Sequence, residues 1–373
     1  MSRLPERADA VVIGGGVIGT SVACQLAESG VGTVLLERGA LGSGSSGTTA
    51  GVVRTYFPGK PLISNLAVRS LAAYQALAER TGTDLGLRRI GLLVLFTDEQ
   101  QVREFRDTQA AQHAAGVDVE FVTPAEVARL NPLVDERTVL GAAWAPEAYG
   151  CDPAAIVRAY ATAAEKAGAV LRTETPVTGI DPDGVVHTPE GSIRADNVVC
   201  AAGPWADTVG ALADVRIPVS PYPVEMLLTD TPDAPGGAPL DALPMTLHPS
   251  SLRIRSWGER ILIGMGRPAP DETRQAWLER VSGTLGTICP SLADHGIDSG
   301  WTGDLDVSPD GMAFIGRDDS RPFFYAAGFS GQGLCQAPAA GEIVRNLVLG
   351  KESWIDTAPL STARCLGEPA GTG

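Results

Sequence analysis

The sequence predicts an α/β fold, and three features of its first forty residues carry the prediction. Residues 10–13 are continuously apolar, as in a strand buried on both faces of a parallel sheet. A glycine-rich turn follows at 14–19, and then a stretch with Val17, Ile18, Val22, Ala23 and Leu26 at helical spacing, which Gly30 stops. Residues 33–36 form a second apolar run, with Glu37 at its end. Strand, turn, helix and strand in this order make a parallel βαβ unit.

Composition bounds the function. With 44% hydrophobic and 20% charged residues the 373-residue chain is globular rather than disordered. A net charge of −15 disfavours capture of nucleic acid or an anionic membrane. No apolar run approaches the roughly 18–20 residues of a membrane helix. The 6 cysteines show no CxxC spacing and the 4 histidines lie far apart, so neither a metal site nor a disulfide framework is expected. Arg3 and Arg7 precede an apolar stretch in the manner of a leader peptide, but Gly14, Gly15, Gly16 and Gly19 interrupt it. A cytoplasmic protein is expected. Whether it forms a homo-oligomer is left open.

The turn Gly14-Gly15-Gly16-Val17-Ile18-Gly19 matches G-x-G-x-x-G. Gly14 permits the tight turn, Gly16 admits a pyrophosphate against backbone, and Gly19 lets helix pack on strand. The helix N-terminus then offers N–H groups and partial positive charge to phosphate. Glu37 stands where an acid can accept hydrogen bonds from a ribose diol, which favours NAD or FAD over NADP. The next segment, 39–54, is small, polar and glycine-rich, with Ser45, Ser46 and Thr49 able to face a pyrophosphate and Ala50, Gly51 and Val52 able to pass close to a flat ring.

At this point the chain resembles the D-amino-acid-oxidase-like FAD-dependent oxidoreductases, most closely the glycine oxidase and sarcosine oxidase branch. The resemblance extends over nearly the whole chain. Residues 193–205, with Ala202 and Gly203 at their turn, look like the family's returning strand, and residues 176–180 look like the strand whose valine, here Val177, brackets the adenine. Residues 308–317 are similar to the family's "TPDGxPxIG" stretch, and residues 323–334 read as strand, glycine turn and helix start, with the helix over 337–349. In this family that helix points its N-terminus at the flavin, so Ser330, Gly331, Gln332, Gly333 and Leu334 join Arg38 as expected cofactor neighbours. Relatives with covalent flavin use a histidine just after the equivalent of Thr49 or a cysteine just before the "PDG" stretch. This chain has Ala50 and no such cysteine, so the resemblance implies non-covalent FAD.

The implied architecture is α+β/α/β: a Rossmann-like FAD-binding domain over 1–88, 146–214 and 300–373, interleaved with an antiparallel-sheet substrate domain over 89–145 and 215–299. Runs at 90–96 and 261–264 read as strands, 98–115 and 270–285 as helices, Thr123 with Glu126 as a helix start, and 230–244 as a surface loop or lid.

The resemblance implies oxidation of a C–N bond with the flavin as acceptor. The imine then hydrolyses and O2 is reduced to H2O2. The substrate is a small amine or amino acid, glycine or an N-substituted (N-carboxymethyl) glycine. The alternative is a dehydrogenase of an amino acid or 2-hydroxy acid that passes electrons to a carrier. No protein side chain is singled out as catalytic.

A guanidinium is the expected anchor for a substrate carboxylate. The glycine-oxidase branch has arginines where this chain has Leu305 and, approximately, Gly331, and sarcosine oxidases have a lysine where it has Cys335. Arg54 is the first candidate, because 52–57 resembles the sarcosine-oxidase stretch whose arginine binds carboxylate. Arg253 and Arg255 alternate along a strand-like run and so share one side of it. Tyr222, Met226 and His248 are candidates to line the same cavity, while Trp205 and Trp301 read as core.

Overall fold

The computed structural model describes residues 4–230, 240, 243–266 and 272–366. The strand expected at 10–13 is β1 (Arg7–Ile13), followed by helix α1 (Val17–Glu28) and strand β2 (Thr33–Leu36). β1 lies parallel between β2 and the long Gly191–Cys200 strand. The latter pairs in turn with Phe323–Ala327, which carries Phe314–Arg317 at its side. The inner positions of β1 and β2 are fully buried, which is why they read as unbroken apolar runs.

Helices cover one face of this sheet: α1, Pro153–Lys166 and Gly333–Val348, with Pro61–Thr81 outside them. The other face packs Val11, Val34, Val198 and Tyr325 against the segment that runs from Ala206 to Val219.

A second β layer, eight-stranded like the first, follows the order 297–307, 220–229, 260–264, 253–257, 245–247, 92–96, 141–145, 120–122. All its pairings are antiparallel except that between Met245–Leu247 and Leu92–Phe96. One face is sealed by the Arg274–Ile288 helix, whose Trp277, Val281 and Leu285 pack on Leu227, Ile254 and Ile263. The opposite face looks toward the first sheet. A small sheet of β3 (Val52–Arg54), Ala148–Gly150 and Arg88–Arg89 lies between the two.

Several element boundaries differ from expectation. The helix expected at 270–285 begins at Arg274, where the Thr273 hydroxyl accepts the Ala276 N–H, and it runs to Ile288. The helix expected from 337 begins a turn earlier, at Gly333, with Pro338 tolerated inside it. Only Gly179 and Ile180 of the segment 176–180 are strand; Val177 is in the loop before it. The boundary drawn at 300 falls inside the Ile297–Val307 strand, which belongs to the second sheet along its whole length. Most of the 230–244 loop lies outside the described residues. Thr123 and Glu126 do form a reciprocal capping box. Among the described residues no helix is long and apolar enough to cross a membrane.

Candidate active site

A cavity of about 410 Å³ opens at the carboxyl ends of β1, β2 and the Gly191–Cys200 strand. That is the edge at which ligands bind open parallel sheets. Two helix N-termini meet there, those of α1 and of Gly333–Val348.

At the α1 end the glycines act by their missing side chains. Gly14 takes φ 115°, and a Cβ at Gly19 would overlap the Gly14 carbonyl, so the helix can start this close to the strand only with glycine at both positions. The Ser46 hydroxyl accepts the Val17 N–H at 3.0 Å, while the N–H groups of Gly16 and Ile18 have no acceptor among the described residues. These unspent donors at a helix N-terminus fit a phosphate. Glu37 is held by the N–H groups of Gly15 (2.6 Å) and Gly39 (2.8 Å), and its carboxylate borders the cavity with further acceptor capacity. Arg38 stacks on Trp205, its guanidinium carbon 3.7 Å from the ring centroid.

The other end is built by a strained turn. Gly328, Ser330 and Gly331 all have positive φ, which is uncommon for a serine. Asp306 clamps this turn: its Oδ2 accepts the Phe329 N–H at 2.9 Å and its carbonyl accepts that of Ser330 at 2.9 Å. Burial raises the Asp306 carboxyl to about 6, with those backbone N–H groups opposing the shift. The turn delivers the helix whose Gly333 and Leu334 N–H groups have no acceptor among the described residues and which border the cavity. A pocket lined by free N–H groups at one helix N-terminus, by the acid Glu37 and by a second helix N-terminus fits FAD. Such a terminus suits a ring that gains negative charge on reduction.

Of the expected cofactor residues, Gly14, Gly15, Gly16, Val17 and Ile18 line the cavity. So do Glu37, Arg38, Ser45, Ser46 and Thr49, as do Val177, Ala202 and Gly203, and Gly331, Gly333 and Leu334. Gly19 sits behind the turn as a packing residue, and Ser330 and Gln332 shape the second turn rather than its wall. Ala50, Gly51 and Val52 also lie off this cavity. The Gly51 carbonyl is fixed by the Cys151 N–H at 3.0 Å, and that of Val52 accepts the Cys335 thiol at 3.5 Å. Trp205 lines the cavity, correcting its assignment to the core. Trp301 is a brace, its indole donating to the Thr48 carbonyl at 2.8 Å. Leu305, which stands where the glycine-oxidase branch has an arginine, borders the cavity, as do Asp306 and Thr208, which the sequence did not single out. Asp306 alternates with Asp304 in the sequence and so reads there as the exposed side of a strand.

The second sheet forms a wall facing the cavity side. Register places Trp301, Met226, Gly264, Arg253, Leu247 and Val94 in one row across five strand pairs. A Cβ at Gly303, next on the same face as Trp301, would overlap Thr48, which shows how tightly this face meets the 39–54 loop. Arg255 shares the face with Arg253, but its Nη1 donates at 2.6 Å to the carbonyls of both Ala50 and Gly51, and its Nε to Ser256. Arg255 therefore holds the loop. Tyr222 and Met226 lie on the same face; His248 instead lines a second cavity of about 560 Å³ with Tyr56, Phe96 and Phe105, and burial lowers its pKa.

Arg54 ends β3. Its Nη1 donates to the Tyr56 carbonyl at 2.7 Å and its guanidinium lies 3.9 Å from the Phe57 ring centroid. No carboxylate pairs with it among the described residues. Desolvation by burial lowers its pKa to about 10, and the Arg253 charge adds to that shift. All six cysteines are free, and among the described residues no cluster of three or more His, Cys, Asp or Glu could hold a metal.

Comparison with known proteins agrees with this geometry. Residues 9–347 match the family model described as FAD dependent oxidoreductase (DAO). A glycine oxidase of Geobacillus kaustophilus (strain HTA426) is 29% identical, with 98% of this chain and 99% of that protein aligned. Its crystal structure superposes with a TM-score of 0.82 at 28% identity, covering 97% of this chain and 100% of that one. The L-proline dehydrogenase of P. horikoshii superposes with a TM-score of 0.84 at 30% identity, over 94% of this chain and 96% of that one. Mouse (Mus musculus) mitochondrial dimethylglycine dehydrogenase is 28% identical over 96% of this chain, but the chain spans 44% of that longer protein.

Proposed function

The chain belongs to the FAD dependent oxidoreductase family and is an FAD-dependent oxidoreductase of amino-acid or amine C–N groups; from that premise we propose that it oxidises a carboxymethylamine, R–NH–CH2–COO⁻, where R is hydrogen or a substituent. The balanced reaction is R–NH–CH2–COO⁻ + O2 + H2O → R–NH2 + OHC–COO⁻ + H2O2. Bound non-covalently, FAD supplies the two-electron acceptor for the C–N bond.

The observation that carries the reading is the Arg54 guanidinium, half-buried at the end of β3, set against the Phe57 ring and without a carboxylate partner among the described residues. A substrate carboxylate would neutralise it through charge-assisted hydrogen bonds and so fix the carboxymethyl carbon. The Ala50–Gly51 backbone, gripped by Arg255, keeps β3 and hence Arg54 in place. Asp306 holds the turn that would feed the N–H groups of Gly333 and Leu334 to the cofactor.

The G. kaustophilus glycine oxidase supports the oxidase reading. The likeness to L-proline dehydrogenase favours, as second reading, the same chemistry with an electron carrier in place of O2. Incubation of the yellow protein with N-alkylglycines in air distinguishes them. Glyoxylate, amine and peroxide in equal amounts are expected, with all flavin released on acid precipitation. Glyoxylate only when an artificial electron acceptor is added would contradict the oxidase.

A further inference from the structure

The second cavity, of about 560 Å³, shares no lining residue with the first. It lies between the Glu99–Ala114 helix and the strands that carry Val94 and Leu247. Gln101, Glu104, Phe105 and Thr108 recur at three- and four-residue spacing, so one face of that helix borders it. Its size falls in the range of small-molecule sites, roughly 300–1,000 Å³. Three features set the chemistry of an occupant. The lining is rich in rings: Tyr56 meets Phe105 edge-on with centroids 6.5 Å apart, and Phe96 lies 5.5 Å from Phe105. Tyr56 is only 1% exposed, yet its hydroxyl has no hydrogen-bond partner among the described residues. A buried polar atom left unpaired is costly, and a polar group of a ligand in the cavity would satisfy it. The rim is acidic. Glu104 and Asp107 are exposed on the helix and without an ionic partner among the described residues, Glu104 accepting only from the neutral Gln100 amide at 2.8 Å. No lysine or arginine lines the cavity, and the nearby Arg106 guanidinium lies instead over the Phe121 ring, 5.7 Å from its centroid. His248, the remaining basic group of the lining, has its pKa lowered by burial and so is neutral at pH 7.

We propose that this cavity is a second ligand site, separate from the cofactor cavity, and that it takes an organic ammonium ion with an apolar, aromatic body. The rings and the aliphatic side chains Val94, Leu95 and Leu247 receive the body. The Glu104 and Asp107 carboxylates supply the counter-charge, and the Tyr56 hydroxyl accepts a hydrogen bond. An anion of the same shape would meet two carboxylates with no basic group to offset them, and a neutral isostere would forgo the charged hydrogen bonds.

The test is isothermal titration calorimetry of the FAD-loaded protein at pH 7 with 2-phenylethylamine, 2-phenylethanol and 3-phenylpropanoate. Binding heat is the readout, so the result stands apart from flavin reduction and from the carboxymethylamine reading. The amine should bind about 10- to 100-fold more tightly than the alcohol, the size of a charged hydrogen bond, with the propanoate weakest. Glu104→Gln combined with Asp107→Asn, both exposed positions, should bring amine and alcohol to similar affinity with FAD content unchanged. Tyr56→Phe should weaken the amine by about 3- to 10-fold. Val94→Trp, which fills the cavity, should abolish binding of both. Amine binding that is absent or no tighter than that of the alcohol overturns the proposal. So does a preference for the propanoate, or a preference for the amine that survives the double substitution.

Discussion

Removing the Arg54 guanidinium tests its role separately from the cofactor, because the residue lies beyond the cavity lined by Ser45, Ser46 and Thr49. Arg54→Ala should cost about 2–5 kcal/mol of transition-state binding, roughly 30- to 4000-fold in kcat/KM, with FAD content unchanged. Loss of flavin from the variant would instead mark Arg54 as structural. Asp306 makes a different prediction. Its folded pKa is about 6 against an ordinary value of 3.8, so its contribution to stability is fully present below the unfolded value and is lost as pH rises through about 6. The two-unit shift corresponds to about 3 kcal/mol. Urea unfolding of wild type against Asp306→Asn should therefore show the wild type losing ground between pH 4 and 7. A difference that stays flat over that range would refute the assignment. Neither residue was equally visible beforehand. Arg54 stood out because it follows a cofactor-type loop, whereas Asp306 is buried by a strand pairing and a turn that lie far apart in sequence.

At the level of elements, the βαβ unit was legible because each signal is local: an unbroken apolar run, glycines at fixed spacing, and a 3.6-residue period. The 323–334 strand and turn were legible for the same reason. The order of the second sheet was not. Its strands pair across long gaps, as in the parallel match of Met245–Leu247 with Leu92–Phe96, and no local pattern encodes a partner. For the same reason alternation placed Arg253 and Arg255 on one face but could not tell that only Arg255 reaches the Ala50 and Gly51 carbonyls. The close meeting of this sheet with the 39–54 loop predicts that Gly303→Ala, whose new methyl would overlap Thr48, destabilises the protein by about 1–3 kcal/mol. The same variant should bind FAD more weakly. An unchanged melting temperature and FAD Kd would mean that the two layers are more loosely apposed than described.

For the whole molecule, the two sheets divide the work we assign to the chain. The parallel sheet gathers two helix N-termini around the cavity, and the face of the second sheet sets Arg255 against the Ala50 and Gly51 carbonyls that precede β3. On this reading a carboxymethylamine reduces the bound flavin in a step that needs Arg54. The most direct test is an anaerobic titration of the holoenzyme with N-substituted glycines, followed at the flavin absorbance. Full bleaching is expected in the wild type, and bleaching slowed at least 30-fold in Arg54→Ala, roughly the lower bound for an unpaired buried charge. Bleaching at equal rates in both proteins would contradict it.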